Sequence, residues 1–199
     1  MLLYDSPISG NCYKVRLILA HLGLPYERTS LDVADRSNRP DILGGLNPSL
    51  RVPTLVLDDG RPLGESGAIL WYFGEGTRFV PENRYARAQV LQWMFFEQYE
   101  TEPTLAVVRF WLILSGDPDA YADRIPGKQA AGYKALDAME RYISDRDWFV
   151  GDTPTLADIA LYGYTHVADE GGFDLGGYPA IRAWLGRVAA MPGHVPMSA

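Results

Sequence analysis

Cysteine is almost absent from this 199-residue chain, which contains Cys12 and no other. A single thiol excludes an intramolecular disulfide, so the fold has to rest on its apolar core. Histidine is nearly as scarce. His21, His166 and His194 fall at no ligand spacing with one another or with Cys12, and no metal is expected. Basic charge is in deficit, with 18 Lys and Arg against 25 Asp and Glu and a formal net charge of -7. A sequence-independent grip on nucleic acid needs clustered cations to neutralise phosphates, so nucleic acid is not an expected partner, although a local basic pocket stays open. Also missing are an apolar run long enough to cross a bilayer, a Gly/Ser linker and an internal repeat, and no export leader is expected from the residues after Met1. The expected compartment is the cytoplasm, where thiols stay reduced.

What is present is a clear change of hydrophobic period along the chain. In the first part short apolar runs alternate with helical spacing: "MLLYD" reads as a strand, and Val15, Ile18, Leu19 and Leu22 line one helix face with Lys14, Arg16 and His21 on the other. Gly23 and Pro25 stop that helix. "YERTSLDV" reads as a second strand, residues 41–46 as a weak helix, and "PTLVLDDGRPLGE" as a hairpin turning at Asp58, Asp59 and Gly60. Ser66 then caps a helix over residues 67–73. "GEGTRFVPENR" breaks the pattern, and beyond it strand signals vanish. Helices are expected at 85–114, bent or interrupted at Pro103, and at 127–144, 156–168 and 180–191. The domain reading is 1–75 as an α/β unit, 76–84 as a linker and 85–199 as an all-helical unit.

The first turn of the first helix carries the most chemistry. A helix start leaves N–H groups unpaired and bears partial positive charge, which favours an anion such as a thiolate. Ser9, two residues, then Cys12 is the spacing of a thiol redox helix with its first cysteine exchanged for serine. Cys12 is then the shielded member, and the Ser9 hydroxyl can donate to the sulfur of a bound thiol. Taken alone, Ser9 is more commonly a simple cap. Further on, "NPSLRVPTLVL" sets Val52 and Pro53 just before a strand, where a cis proline would turn the Val52 backbone outward for an extended peptide to pair with. Glu65 and Ser66 open the third helix, offering N–H groups and a hydroxyl to a carboxylate and an acid to an ammonium. Together these describe a site for a short peptide carrying a thiol, a carboxylate and an amine.

On these residues the chain resembles the cytosolic glutathione transferase superfamily. The resemblance spans nearly the whole sequence, through "SPISGNCYKVRLIL" with "LGLPYE", "NPSLRVPTL" with "GESGAILWYF", "GDTPTLADIALYGY" and "GYPAIRAWLGRVAAMPG". It implies a thioredoxin-like amino-terminal domain followed by an all-α carboxy-terminal domain, a homodimer, and glutathione as co-substrate. Ser9 and Asn11 look more like the bacterial serine-type members, theta-like, zeta-like or nu-like, than the tyrosine-dependent ones. By the same resemblance Ser9 stabilises the glutathione thiolate and Asn11 stands beside the sulfur. Arg51 meets the glycyl carboxylate, Val52 and a cis Pro53 clamp the cysteinyl backbone, and Glu65 and Ser66 anchor the γ-glutamyl end. One departure is Leu50, where the motif often has glycine. The implied reaction is attack of the thiolate on an apolar electrophile lodged against the aromatic segment 92–111, in small-molecule detoxification. Reduction of a disulfide or peroxide in the nu-like manner, glutathione-dependent isomerisation or dehalogenation, and a non-catalytic binding role are the alternatives. Thr155 and Asp158 form an acidic capping box that serves folding, and Glu102 with Arg109 is expected as a structural salt bridge.

Overall fold

A computed structural model describes residues 1–199. Two compact units form, one of Met1–Glu75 together with Pro192–Ala199 and one of Gly76–Met191. Residues 76–84, expected as a linker, thus belong to the second unit, and 192–199, expected in the helical domain, return to the first.

The first unit runs β1 (Leu2–Asp5), α1 (Gly10–His21), β2 (Glu27–Ser30), α2 (Arg39–Leu43), β3 (Thr54–Val56), β4 (Pro62–Gly64) and α3 (Ser66–Gly74). The sheet order is β2-β1-β3-β4, with β1 parallel to β2 and antiparallel to β3, and β3 antiparallel to β4. The β1-α1-β2 crossover accounts for the parallel pair. Leu3 and Leu55 face each other across the central pair and are fully buried. Both edges are short and polar or proline-led, with Pro62 opening β4 where its missing N–H removes nothing from the ladder. Gly23, at φ 65°, closes α1 as a Schellman motif, its own N–H reaching Ala20 O and that of Leu24 reaching Leu19 O.

Two expectations for this unit need correction. Lys14 and Arg16, assigned from spacing to the polar face of α1, are each only 1 % exposed. Helix α1 is covered on that side too, since the 192–199 segment lies along it: Tyr13 Oη donates to Val195 O at 2.8 Å and Arg16 Nη2 to Met197 O at 2.6 Å. Ser66 is not the cap of α3 but its first residue, with Glu65 in the cap position.

The second unit is helical throughout: α4 (Arg84–Phe96), α5 (Val107–Arg109), α6 (Ile125–Ile143), α7 (Leu156–Thr165) and α8 (Pro179–Ala189), with short 3-10 turns at Pro118–Tyr121 and Ala168–Gly171. The interruption expected at Pro103 is broader than a kink. Residues Glu97–Ala106 and Phe110–Leu114 are π-helical, joined by the single turn α5. Pro103 removes an N–H, and Thr101 and Thr104 supply hydroxyl donors to Glu97 O and Glu100 O at 3.0 and 2.6 Å. Arg109 pairs with Glu170 at 2.6 Å, a partner that spacing along one helix did not nominate. The core gathers Trp93, Phe149 and Trp184 around Asp158. That carboxylate accepts from Phe149 N, Thr155 N and Trp184 Nε1 at 3.1, 2.8 and 3.0 Å, the capping box read from sequence extended into the core. No helix is long and apolar enough to cross a membrane.

Candidate functional site

Three connections leave the same end of the sheet. Tyr4 pairs with Thr54, and Thr54 with Gly64, so the end of β1, the start of β3 and the end of β4 lie side by side. The chain therefore delivers 6–9, 51–53 and 65–66 to one edge.

At the first connection Asp5, fully buried, is gripped by Arg16 Nη1 at 2.7 and 2.9 Å and by Arg28 Nη2 at 2.7 Å. The same Arg16 guanidinium donates to Ser6 O and Pro7 O, at 3.3 and 3.1 Å, and so holds the loop leading into α1. Ser9 is the N-cap, with extended backbone (φ -87°, ψ 121°) and its Oγ accepting from Cys12 N at 3.3 Å. No acidic residue occupies the first turn, so the positive end of the helix stays uncompensated. Ser9 is half-buried, within reach of solvent. Cys12 is not: it is fully buried, and burial, then the nearby Asp5 carboxylate, push its thiol from 9.0 up to about 12. A thiol so placed is no nucleophile at neutral pH.

Asn11, on the first turn of α1, connects this end to α3. Its Oδ1 accepts from Lys14 Nζ at 2.8 Å and from Ser66 Oγ at 3.3 Å. An ammonium can only donate, so Lys14 fixes which way the Asn11 amide is turned. Sequence reasoning missed Lys14 because a lysine at helical spacing reads as solvent-facing; only its position three residues after Asn11 hinted at a local partner.

The second connection is built around Asn47, which is 5 % exposed. Its Nδ2 donates to Arg51 O and Thr54 Oγ1 at 3.2 and 2.8 Å, and its Oδ1 accepts from Ser49 N and Oγ at 3.0 and 2.8 Å. A β-carbon on Gly64 would come within 2.8 Å of that Nδ2, so glycine makes room for the bracket. The Val52–Pro53 peptide is cis, as the motif led one to expect. No backbone hydrogen bond within the chain uses Val52, and the Arg51 side chain is exposed. At the third connection Glu65 is exposed and takes φ 63° before Ser66, which is 5 % exposed, opens α3.

Leu50 and Glu65 are the two non-glycine residues of the chain with positive φ. Such conformations persist only where the surroundings over-determine them, and they concentrate where a ligand is held. Both lie on the edge that gathers Ser9, Asn11, Val52 and Ser66. The structure links Ser9, Asn11 and Ser66 through adjoining helix starts, and brings Arg51, Val52 and Pro53 beside them by strand register. No group of three or more His, Cys, Asp or Glu side chains is placed to hold a metal ion.

Comparison with known proteins bears on this arrangement. Residues 8–75 match the model for the glutathione S-transferase N-terminal domain and residues 106–192 that for the C-terminal domain. The chain is 31 % identical to glutathione S-transferase 3 of Zea mays over 203 residues, spanning 96 % of this chain and 89 % of that one. It is 28 % identical to the disulfide-bond oxidoreductase YfcG of Escherichia coli (strain K12), over 96 % of this chain and 90 % of the other. A crystal structure of a glutathione S-transferase from Pseudomonas fluorescens superimposes with a TM-score of 0.96 at 46 % identity, covering 100 % of this chain and 98 % of that one. With both domain models matched in order and the strained edge of the sheet where the first of them falls, the chain belongs to the glutathione S-transferase family.

Proposed function

We propose that this protein binds glutathione along the 51–53 and 65–66 segments and uses Ser9 to hold its sulfur as thiolate for attack on an electrophilic small molecule. The observation that carries the reading is the Ser9 hydroxyl at an uncompensated helix start, joined through Asn11 to Ser66. Glutathione loses its thiol proton to solvent. Its sulfur then accepts a hydrogen bond from Ser9 Oγ and lies against the positive end of α1. A hydrogen bond to an anion contributes about 1.5–3 kcal/mol, which lowers a thiol pKa of roughly 8.5 by about one to two units and makes the thiolate abundant at neutral pH. The sulfur lone pair forms a bond to the electrophilic carbon while the leaving group departs with its electron pair. Arg51 faces the glycyl carboxylate, the Val52 backbone pairs with the cysteinyl unit, and Glu65 with Ser66 takes the γ-glutamyl end.

A second reading has its own support. Asn11 lies on the first turn of α1, two residues after Ser9, and the Escherichia coli relative is named a disulfide-bond oxidoreductase. In that case the thiolate attacks a disulfide sulfur, forming a mixed disulfide and releasing a thiolate, and a second glutathione completes the reduction. Exposed Tyr85, Phe95 and Tyr99, at 73, 60 and 75 %, support self-association as a homodimer, and the reduced, buried Cys12 suits a cytoplasmic setting.

Calorimetry with glutathione, then turnover of chlorodinitrobenzene and of hydroxyethyl disulfide by the parent and by Ser9→Ala, tests the assignment. The expected result is glutathione binding by the parent, with kcat/KM in Ser9→Ala at least about tenfold lower at neutral pH and a pH profile displaced upward by about one unit or more. Equal rates in the two proteins remove Ser9 from the mechanism, and absence of glutathione binding by the parent removes the whole reading.

A further inference from the structure

The φ of Leu50, 54°, lies in the left-handed region that favours glycine. For an L-residue that region is roughly five- to thirtyfold less populated than the right-handed one, and leucine has no polar side chain to offset the clash. Its neighbours do the holding. The Leu50 N–H donates to Asn47 O at 3.0 Å, and its carbonyl accepts from Arg39 Nη1 at 3.2 Å. Arg39 is itself fixed, 3 % exposed, with Nη2 donating to Asp32 O at 2.6 Å. Its Nε is buried and finds no partner. Placing a guanidinium there is costly, and burial, then the neighbouring Arg36, pull its pKa down although the Asp32 carboxylate opposes them. An apolar side chain would avoid the stranded Nε but would lose both carbonyl contacts.

We propose that Arg39 is a positioning residue for the Arg51–Val52 segment: by donating to the Leu50 carbonyl it holds Leu50 in a left-handed conformation that suits glycine better, and so fixes the path on which Arg51 and Val52 meet glutathione. The ligand in this statement rests on the function proposed above. The linkage between Arg39 and Leu50 does not.

A double-mutant cycle over Arg39→Met and Leu50→Gly reads both parts, by glutathione affinity in calorimetry, KM and kcat with chlorodinitrobenzene, and urea unfolding. Glycine enters the left-handed region without steric penalty, which makes the Arg39 contact redundant. Arg39→Met alone is expected to weaken glutathione binding about five- to thirtyfold, carried by KM with kcat within about twofold. With Leu50→Gly also present, the same change is expected to cost less than about twofold. Arg39→Lys, which keeps the charge on a single donor head, is expected to fall between, and takes the place of Arg39→Met in the cycle if that variant is too unstable to assay. Equal losses in both backgrounds mean a general structural role and overturn the proposal. If the parent does not bind glutathione the functional reading fails, and the urea midpoints alone decide the linkage, non-additive midpoints supporting it and additive ones refuting it.

Discussion

The one thiol of the protein should be chemically silent, and the size of that silence follows from where it sits. Cys12 is fully buried on α1, where burial and then the Asp5 carboxylate raise its pKa from 9.0 to about 12. At pH 8 a thiol of ordinary pKa is about 10 % ionised, whereas one near 12 is about 0.01 % ionised, a thousandfold loss of the reactive form before any steric shielding. Native protein mixed with a chromogenic disulfide reagent at pH 8 should therefore react at least about a thousand times more slowly than the same protein in concentrated urea. The sign in stability is equally definite. A thiol whose folded pKa is raised contributes stability that is complete below pH 9 and is lost as pH rises toward about 12, so Cys12→Ala should flatten that alkaline limb. Native reactivity within tenfold of the unfolded chain would mean that Cys12 is exposed and ionisable, and the separation of roles between Ser9 and Cys12 would collapse.

Removing Asp158 strands three buried N–H donors, those of Phe149, Thr155 and the Trp184 indole, so Asp158→Ala should lose about 3–6 kcal/mol in urea unfolding; a loss under about 1 kcal/mol would refute the bracket. His194, lowered in pKa by its burial, stays neutral beside Tyr13 when the unfolded chain already takes up a proton. Its contribution is present above pH 6.5 and lost as pH falls through the lowered value, so His194→Gln should remove part of the acid-side loss of stability, and an unchanged acid limb would count against it. Ser9→Ala, besides its kinetic effect, loses the cap on Cys12 N and should unfold about 1 kcal/mol more easily, a control that separates cap from catalysis.

How far the sequence can be read depends on the distance over which each feature is decided. Gly23, the Asp58 to Gly60 turn and the Thr155–Asp158 box are settled within a few residues, and each was legible. Ser9, Asn11, Val52, Pro53, Glu65 and Ser66 could be nominated by motif, but their meeting at one sheet edge depends on register across β1, β3 and β4. Lys14, Arg16 and Arg39 could not be nominated, because a buried charge is intelligible only through partners such as Asp5, Met197 and Leu50. Leu50 ran against its own local preference. Its left-handed backbone is imposed by Asn47 and Arg39 and has no trace in leucine itself.

The return of Pro192–Ala199 to the first unit has a consequence in time as well as space. The seventy-fifth residue leaves the ribosome well before the hundred-and-ninety-second, and domains generally fold in the order they are made. Here the amino-terminal unit gains its last contacts after the helical unit has been made. Arg16, which fixes the approach to Ser9, acquires its Met197 carbonyl only once the whole second unit has been synthesised, and Tyr13 its Val195 carbonyl a moment earlier. The helical unit, contiguous in sequence, has no such dependence. A nascent chain that stalls after residue 191 thus carries a whole second unit and an unclasped first one, so the unit begun earlier is completed after the one begun later.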